Sequence, residues 1–194
     1  FTGSLLVGHS TTGTISSALG NTGVGIAALN ALTSGDYNVA VGNEAGGAIT
    51  SGERNVLMGY AAGDAITISS YNTAVGHGAL SAEDTRHGST AIGYKALNLQ
   101  NTDSDPYNTT VGYHAAFLLT TGVRNTIIGA EAGDALTTGI YNVAVGYAAL
   151  STEDDHGFNT AIGYGALRSQ NAGADGNNVA VGKDAGVNVK TGIN

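Results

Sequence analysis

An aliphatic residue followed by Gly returns at a nearly fixed interval along the whole of this 194-residue chain. The pairs are Val7-Gly8, Val24-Gly25, Val41-Gly42, Met58-Gly59, Val75-Gly76, Ile92-Gly93, Val111-Gly112, Ile128-Gly129, Val145-Gly146, Ile162-Gly163 and Val181-Gly182. Of the ten intervals between them, eight are 17 residues and two are 19. A repeat this short cannot enclose a core of its own, so its copies must stack and bury their apolar surface on one another. The chain therefore reads as one solenoid domain, residues 1–194, with no linker or shift in composition to divide it.

The residues before each pair set the local conformation. Three places ahead of the aliphatic residue stands Asn, at 21, 38, 55, 72, 108, 125, 142, 159 and 178, or Ser, at 4 and 89. Val, Thr or Leu follows, then a mostly small residue. The resulting pattern, Asn-(Val/Thr)-Ala-(Val/Ile)-Gly, alternates with period two and is rich in β-branched residues, which predicts a short strand. Gly in every unit argues against a helix. Alternation puts Val39 and Val41 on one face and Asn38 and Ala40 on the other. The larger aliphatic face is expected inside the coil, and the Asn column is expected to form an amide ladder at about 4.8 Å per step. Each Gly fits a corner that needs positive φ or a close backbone approach. Segments such as Ala48-Ile49-Thr50 and Ala135-Leu136-Thr137 predict a second strand in each coil, closed by turns such as Ser51-Gly52 and Thr138-Gly139. The expected architecture is all-β: a parallel β-solenoid, or β-roll, of about eleven 17–19-residue coils.

A longer period lies above the short one. Residues 38–107 and 108–177 match unit for unit, 70 residues apart. Ala62-Gly63-Asp64-Ala65 mirrors Ala132-Gly133-Asp134-Ala135, and both 19-residue units fall in the fourth place of the block. Their extra length, within 98–107 and 168–177, is expected in lateral loops on one edge of the rod.

Both faces of the strand are apolar or small, as in strands covered on both sides. One reading leaves the Ala face merely solvent-exposed; the other packs it against identical faces of partner chains. Asn72-Thr73-Ala74-Val75-Gly76-His77-Gly78-Ala79-Leu80 and Asn159-Thr160-Ala161-Ile162-Gly163-Tyr164-Gly165-Ala166-Leu167 resemble the repeats of many bacteriophage tail fibres. They are also similar to the heads of trimeric autotransporter (YadA-like) adhesins, although this pitch is longer than in those heads. The resemblance spans the chain. It implies a homotrimer of parallel β-rolls, left-handed in the adhesins. It also implies an extracellular role in reach and host-surface attachment, as a tail-fibre shaft or head or as a bacterial adhesin head. A glycan-degrading tailspike enzyme is the more distant reading, because irregularity here is periodic instead of concentrated in one cleft of carboxylates. The first unit begins at the start and the last pitch closes at Asn194, so a fragment of a longer fibre is expected.

The net charge of −8 argues against nucleic acid and anionic membranes as partners. No apolar run approaches the roughly 20 residues that cross a bilayer. There is no Gly-x-Ser-x-Gly elbow and no other catalytic constellation, and no cofactor is expected. Two acidic groups are candidates for Ca²⁺: Glu83, Asp84, Asp103 and Asp105, and Glu153, Asp154, Asp155 and Asp175. Each would gather oxygen ligands from adjacent coils; a solvated acidic edge is the alternative. The pair Glu153 and His156 is a further candidate for a metal. Tyr60, Tyr94, Tyr113, Tyr147 and Tyr164 directly follow the repeat Gly and form a row that would stack on the sugars of a cell-surface glycan or pack as a structural ladder. A second row, Tyr37, Tyr71, Tyr107, Tyr141 and Phe158, precedes the Asn column.

Overall fold

The computed structural model describes residues 5–7, 17–83, 85–171 and 173–190. Asp84, one of the candidate Ca²⁺ ligands, lies outside the described residues. The strands are β1 (Leu5–Val7), β2 (Thr22–Val24), β3 (Val39–Val41), β4 (Val56–Met58), β5 (Thr73–Val75), β6 (Thr90–Ile92), β7 (Thr109–Val111), β8 (Thr126–Ile128), β9 (Val143–Val145), β10 (Thr160–Ile162) and β11 (Val179–Val181). They form one eleven-stranded parallel sheet in chain order, which is the expected solenoid. Register is held one to one. Ala91 still pairs with Thr110 across a 19-residue interval, so the extra residues leave the ladder without a slip.

Only one strand forms per coil among the described residues; the expected second strand is a run of turns. Counting from the Asn column, the sixth and eighth residues are left-handed in coil after coil, as at Glu44 (φ 61), Gly46 (φ 57), Lys95 (φ 52) and Leu97 (φ 53). A chain that turns left-handed at every other residue cannot extend. Its amides bond instead to neighbouring coils, as Gly46 does to the Ala62 carbonyl at 3.0 Å, or within the turn, as Ile49 does to the Gly46 carbonyl at 3.1 Å.

The faces of the strand are reversed from expectation. The middle residues are inside: Ala40, Leu57, Ala74, Ala91, Ile127, Ala144 and Ala161 are all 0% exposed. The marker residues point outward, and Val24, Met58, Ile92, Ile128 and Ile162 are all exposed. The Ala face therefore cannot pack on partner chains. Two causes act together. The Asn side chains share the parity of the middle residue and find their partners only inside the coil. The space beside them is narrow, and is already filled by the buried Ala column (Ala28, Ala45, Ala62 and onward) and by a Leu or Ile from each turn.

That filling is compensated locally. Leu57 in β4 leans on Gly63, where an added Cβ would meet its Cδ2 at 2.7 Å, and Ile127 in β8 leans likewise on Gly133 at 3.1 Å. In the coils of β5, β6, β9 and β10, whose middle residue is Ala, the same turn position is Leu80, Leu97, Leu150 or Leu167, whereas in β3 Ala40 goes with Gly46, whose Cβ space is taken by Leu57 of the next coil.

The Asn ladder forms as expected. Asn38 donates from its backbone N and its Nδ2 to Asn21 Oδ1, at 2.8 and 3.0 Å, and from Nδ2 to the Gly52 carbonyl at 2.8 Å. The same bonds recur at Asn55. Each amide thus ties one coil to the next and also closes its own coil. The repeat Gly is a close approach as well as a corner. A Cβ on Gly76, at φ +132, would lie 2.3 Å from the Gly93 carbonyl oxygen of the next coil.

Gly76→Ala is accordingly expected to destabilise the fold by about 2–4 kcal/mol through strained φ and backbone overlap. Gly182→Ala, at φ +127 but with its nearest neighbour 4.0 Å away, should lose only the backbone contribution of about 1–3 kcal/mol. Denaturant melts of the two variants would separate the contributions; equal losses would contradict the packing argument.

Candidate functional site

The eleventh residue after the Asn column lines the core and carries the first chemically distinctive groups. It runs Leu32, Ile49, Ile66, Glu83, Gln100, Leu119, Leu136, Glu153, Gln170. All are buried, and Glu83, Gln100, Glu153 and Gln170 are 0% exposed. From Ile49 to Gln170, two aliphatic coils alternate with a Glu coil and a Gln coil, a period of four. Gln100 and Gln170 fall within the segments that the sequence assigns to lateral loops, yet both are buried in the core. Counting from the Asn column would have shown the register.

In the first block this column forms a connected network. Ser89 occupies a ladder place and has no amide, so Gln100 supplies one. Its Nε2 donates to Ser89 Oγ and to Glu83 Oε2, both at 2.9 Å, and its Oε1 accepts from Asn108 Nδ2 at 2.7 Å. Glu83 Oε1 accepts from the Arg86 backbone N at 3.0 Å. Glu83 is thus a core residue of the ladder. Asp105 Oδ1 caps the His87 amide at 3.1 Å and Asp103 is exposed, so the structure does not gather these carboxylates around one point.

The second block differs. Glu153, Asp154, Asp155 and His156 each present a ligand atom within 4.8 Å of the others. His156 Nδ1 lies 3.2 Å from Glu153 Oε1 and 2.5 Å from Asp155 Oδ1. Asp175 is spent elsewhere, its Oδ1 accepting from the Gly157 amide at 2.9 Å. An imidazole among three carboxylates is a donor set for a transition ion such as Zn²⁺, in contrast to the all-oxygen shell of Ca²⁺. Arg86 and Thr85 replace His156 and Asp155 in the first block, so this grouping is not repeated there.

The tyrosines that follow the Gly column form ladders. Tyr60, His77, Tyr94 and Tyr113 follow one another with centroids 4.9, 5.2 and 5.4 Å apart, the outer two pairs stacked and His77 tilted 34° to Tyr94. Ala130 interrupts the row, and Tyr147 and Tyr164 resume it at 5.3 Å. Tyr94 thus has a ring stacked on one side and a tilted imidazole on the other. Along such a run it is ring edges and hydroxyls that meet a ligand. The second row interleaves arginine, with the Arg54 guanidinium 5.4 Å from the Tyr37 ring and 5.7 Å from Tyr71.

Two further carboxyls, which no sequence motif marks, are Asp64 and Asp134, equivalent residues 70 positions apart. Each has its Oδ1 shut away from solvent with no well-formed hydrogen bond. Burial pushes both above the ordinary carboxylate range, and repulsion from Glu44 or Glu131 adds to the rise. Their own amides and those of Ala65 and Ala135 oppose it, as does His114 for Asp134. Glu131 also accepts a hydrogen bond from the Tyr147 hydroxyl, which pushes that phenol up.

No protein-family model, curated protein or solved structure matches this chain.

Gln100→Leu should cost about 2–4 kcal/mol in a urea melt, because it strips bonds from Ser89, Glu83 and Asn108 inside the core; a change below about 0.5 kcal/mol would refute the network. Asp64 gives a pH signature. A raised folded-state pKa means stability is greatest below the ordinary value of 3.8 and falls as pH rises through the folded value. Asp64→Asn is therefore expected to raise Tm at pH 7, by no more than about 3 °C given the solvent left on one side of the group. The gain should vanish near pH 3, and melts at both pH values would check it.

Proposed function

We propose that this chain is a length of extracellular fibre, the shaft or head of a bacteriophage tail fibre, in which three copies lie parallel and pack along their sheets. The observation that carries this reading is the outer face of the sheet. Its two side-chain columns are Val, Thr, Ile, Leu and Met throughout, with no charge in any of the eleven strands. Val24, Val56, Met58, Ile92, Ile128 and Ile162 on it are each 37–42% exposed. A sheet face bound for water carries charge against edge and face association, and an apolar strip running along a rod is a packing surface. Parallel sheets are normally covered on both sides. The seam of the trimer is thus the Thr/Val and Val/Ile columns, with the Ala column inside each protomer.

Such a bundle supplies reach and stiffness. The turns, aromatic ladders and lateral loops remain on its outside for attachment to a host surface. The periodic placement of irregularities favours display along a rod over a single catalytic cleft.

Sedimentation velocity tests the reading. The purified chain should sediment as a species of three times the 19.2 kDa chain mass. Val111→Lys, placing a charge mid-seam on an outward position, should shift it to folded monomer. A wild-type chain that stays a folded monomer at all concentrations would overturn the proposal.

A further inference from the structure

The rod carries a hollow of about 300 Å³ on its turn side, lined by Ala27, Asn30, Glu44, Gly47, Ala48 and Asp64. It spans the coils of β2, β3 and β4. Ala27, Gly47 and Ala48 give its lining methyl groups and backbone, and Glu44, Asp64 and Asn30 give it two carboxylates and an amide.

The chain contains its own comparison for this place. At the same repeat positions four coils on stand Lys95, Asn98, His114, Phe117, Leu118 and Asp134. There the space is filled from within. The Phe117 ring stacks on His114 with centroids 4.8 Å apart, and the Lys95 ammonium lies 5.8 Å from the Phe117 centroid. The filled copy holds a six-membered ring, a positive nitrogen and an imidazole close enough to Asp134 to favour its charge. In the open copy Gly47 replaces the ring, Ala27 replaces the ammonium, and Glu44 replaces the imidazole. The asparagine and the aspartate are retained.

We propose that this hollow binds one amino-bearing pyranose, a hexosamine with a free ammonium group, on the surface to which the fibre attaches. The ligand would supply what the filled copy makes for itself. Its ring would lie on Ala27, Gly47 and Ala48, its ammonium would meet the Glu44 and Asp64 carboxylates, and its hydroxyls would reach Asn30. Hollows of this size suit a single small ligand with a few placed polar groups, and charge-assisted bonds to carboxylate are the strong ones. The inference rests on the attachment role proposed above.

The test is ligand-observed NMR and calorimetry on the assembled wild-type chain. The probes are glucosamine and its fully deacetylated β-1,4 trisaccharide, with glucose and the N-acetylated trisaccharide as neutral controls. The deacetylated sugars should bind about tenfold or more tightly than their neutral counterparts. Gly47→Phe, which installs the ring present at Phe117, should abolish binding while circular dichroism stays unchanged. The paired variant Glu44→Gln with Asp64→Asn keeps the hollow and removes its charge. It should weaken binding about tenfold, so the idea stays falsifiable if the phenylalanine variant does not fold. Equal binding of neutral and amino sugars, undiminished binding to either variant, or equally tight binding of a lysine amide would overturn the proposal. A trimer that binds neither amino sugar would refute the hexosamine site and leave the fibre reading standing.

Discussion

Backbone hydrogen bonding from coil to coil sets one spacing for the entire molecule, and every column of side chains must conform to it. At roughly 4.8 Å per step, a residue meets its own counterpart above and below before it meets anything else. The consequences differ by chemistry. A glycine column lets carbonyls approach to where a Cβ would sit. An asparagine column becomes a chain of amides, each accepting from the next. Tyrosine and histidine columns become stacks with spacings near 5 Å. A column of like charges at that spacing would repel, so charge is diluted: Arg54 stands between Tyr37 and Tyr71, and Glu83 abuts Gln100 inside the core.

The interior shows how little room this leaves. Bulk moves between positions from coil to coil, with Leu57 against Gly63 in one and Ala74 with Leu80 in another. Glu83, Gln100, Glu153 and Gln170 enter the core only in coils whose turn already carries a large Leu. A carboxylate and an amide there keep the ladder continuous past Ser89, where a hydroxyl alone would leave Asn108 Nδ2 one acceptor short. Burying a carboxylate is costly unless its lone pairs are met, and the Arg86 amide and Gln100 Nε2 meet those of Glu83.

Much of this was legible in the residues. The Val/Ile-Gly beat predicted the stacked coils, the asparagines predicted the amide ladder, and the two 19-residue intervals predicted the excursions. The inside of the coil was misread because the larger aliphatic of an alternating strand is usually the buried one. The correct answer lay in parity: Asn38 and Ala40 share a face, and an amide ladder needs enclosure to persist. The second strand was misread because Ala48-Ile49-Thr50 alternates plausibly, whereas the left-handed residues before it, Glu44 and Gly46, leave no trace in a periodicity. The Glu153–His156 contact followed from their i, i+3 spacing. Asp64 and the hollow did not, because they depend on what Gly47 and Ala27 omit on adjacent coils.

The 70-residue repetition separates what the fold requires from what it tolerates. Comparing the blocks, the glycine beat, the buried Ala column and the Glu-Gln core are repeated with almost no change. Inside, the exchanges are few, such as Ser89 against Asn159 and Ala40 against Thr110, while the outer turns and loops carry Tyr60 against Ala130, Glu44 against His114, Gly47 against Phe117, and Arg86 against His156. Each outer exchange alters surface shape or charge while the coil spacing stays the same, as the unbroken register from β3 to β10 shows. A hollow on one block and a ring on the other therefore cost the scaffold nothing in hydrogen bonding between strands. Recognition on such a rod is set by single side chains at two or three turn positions, and two copies of one block can present different chemistry along the same edge.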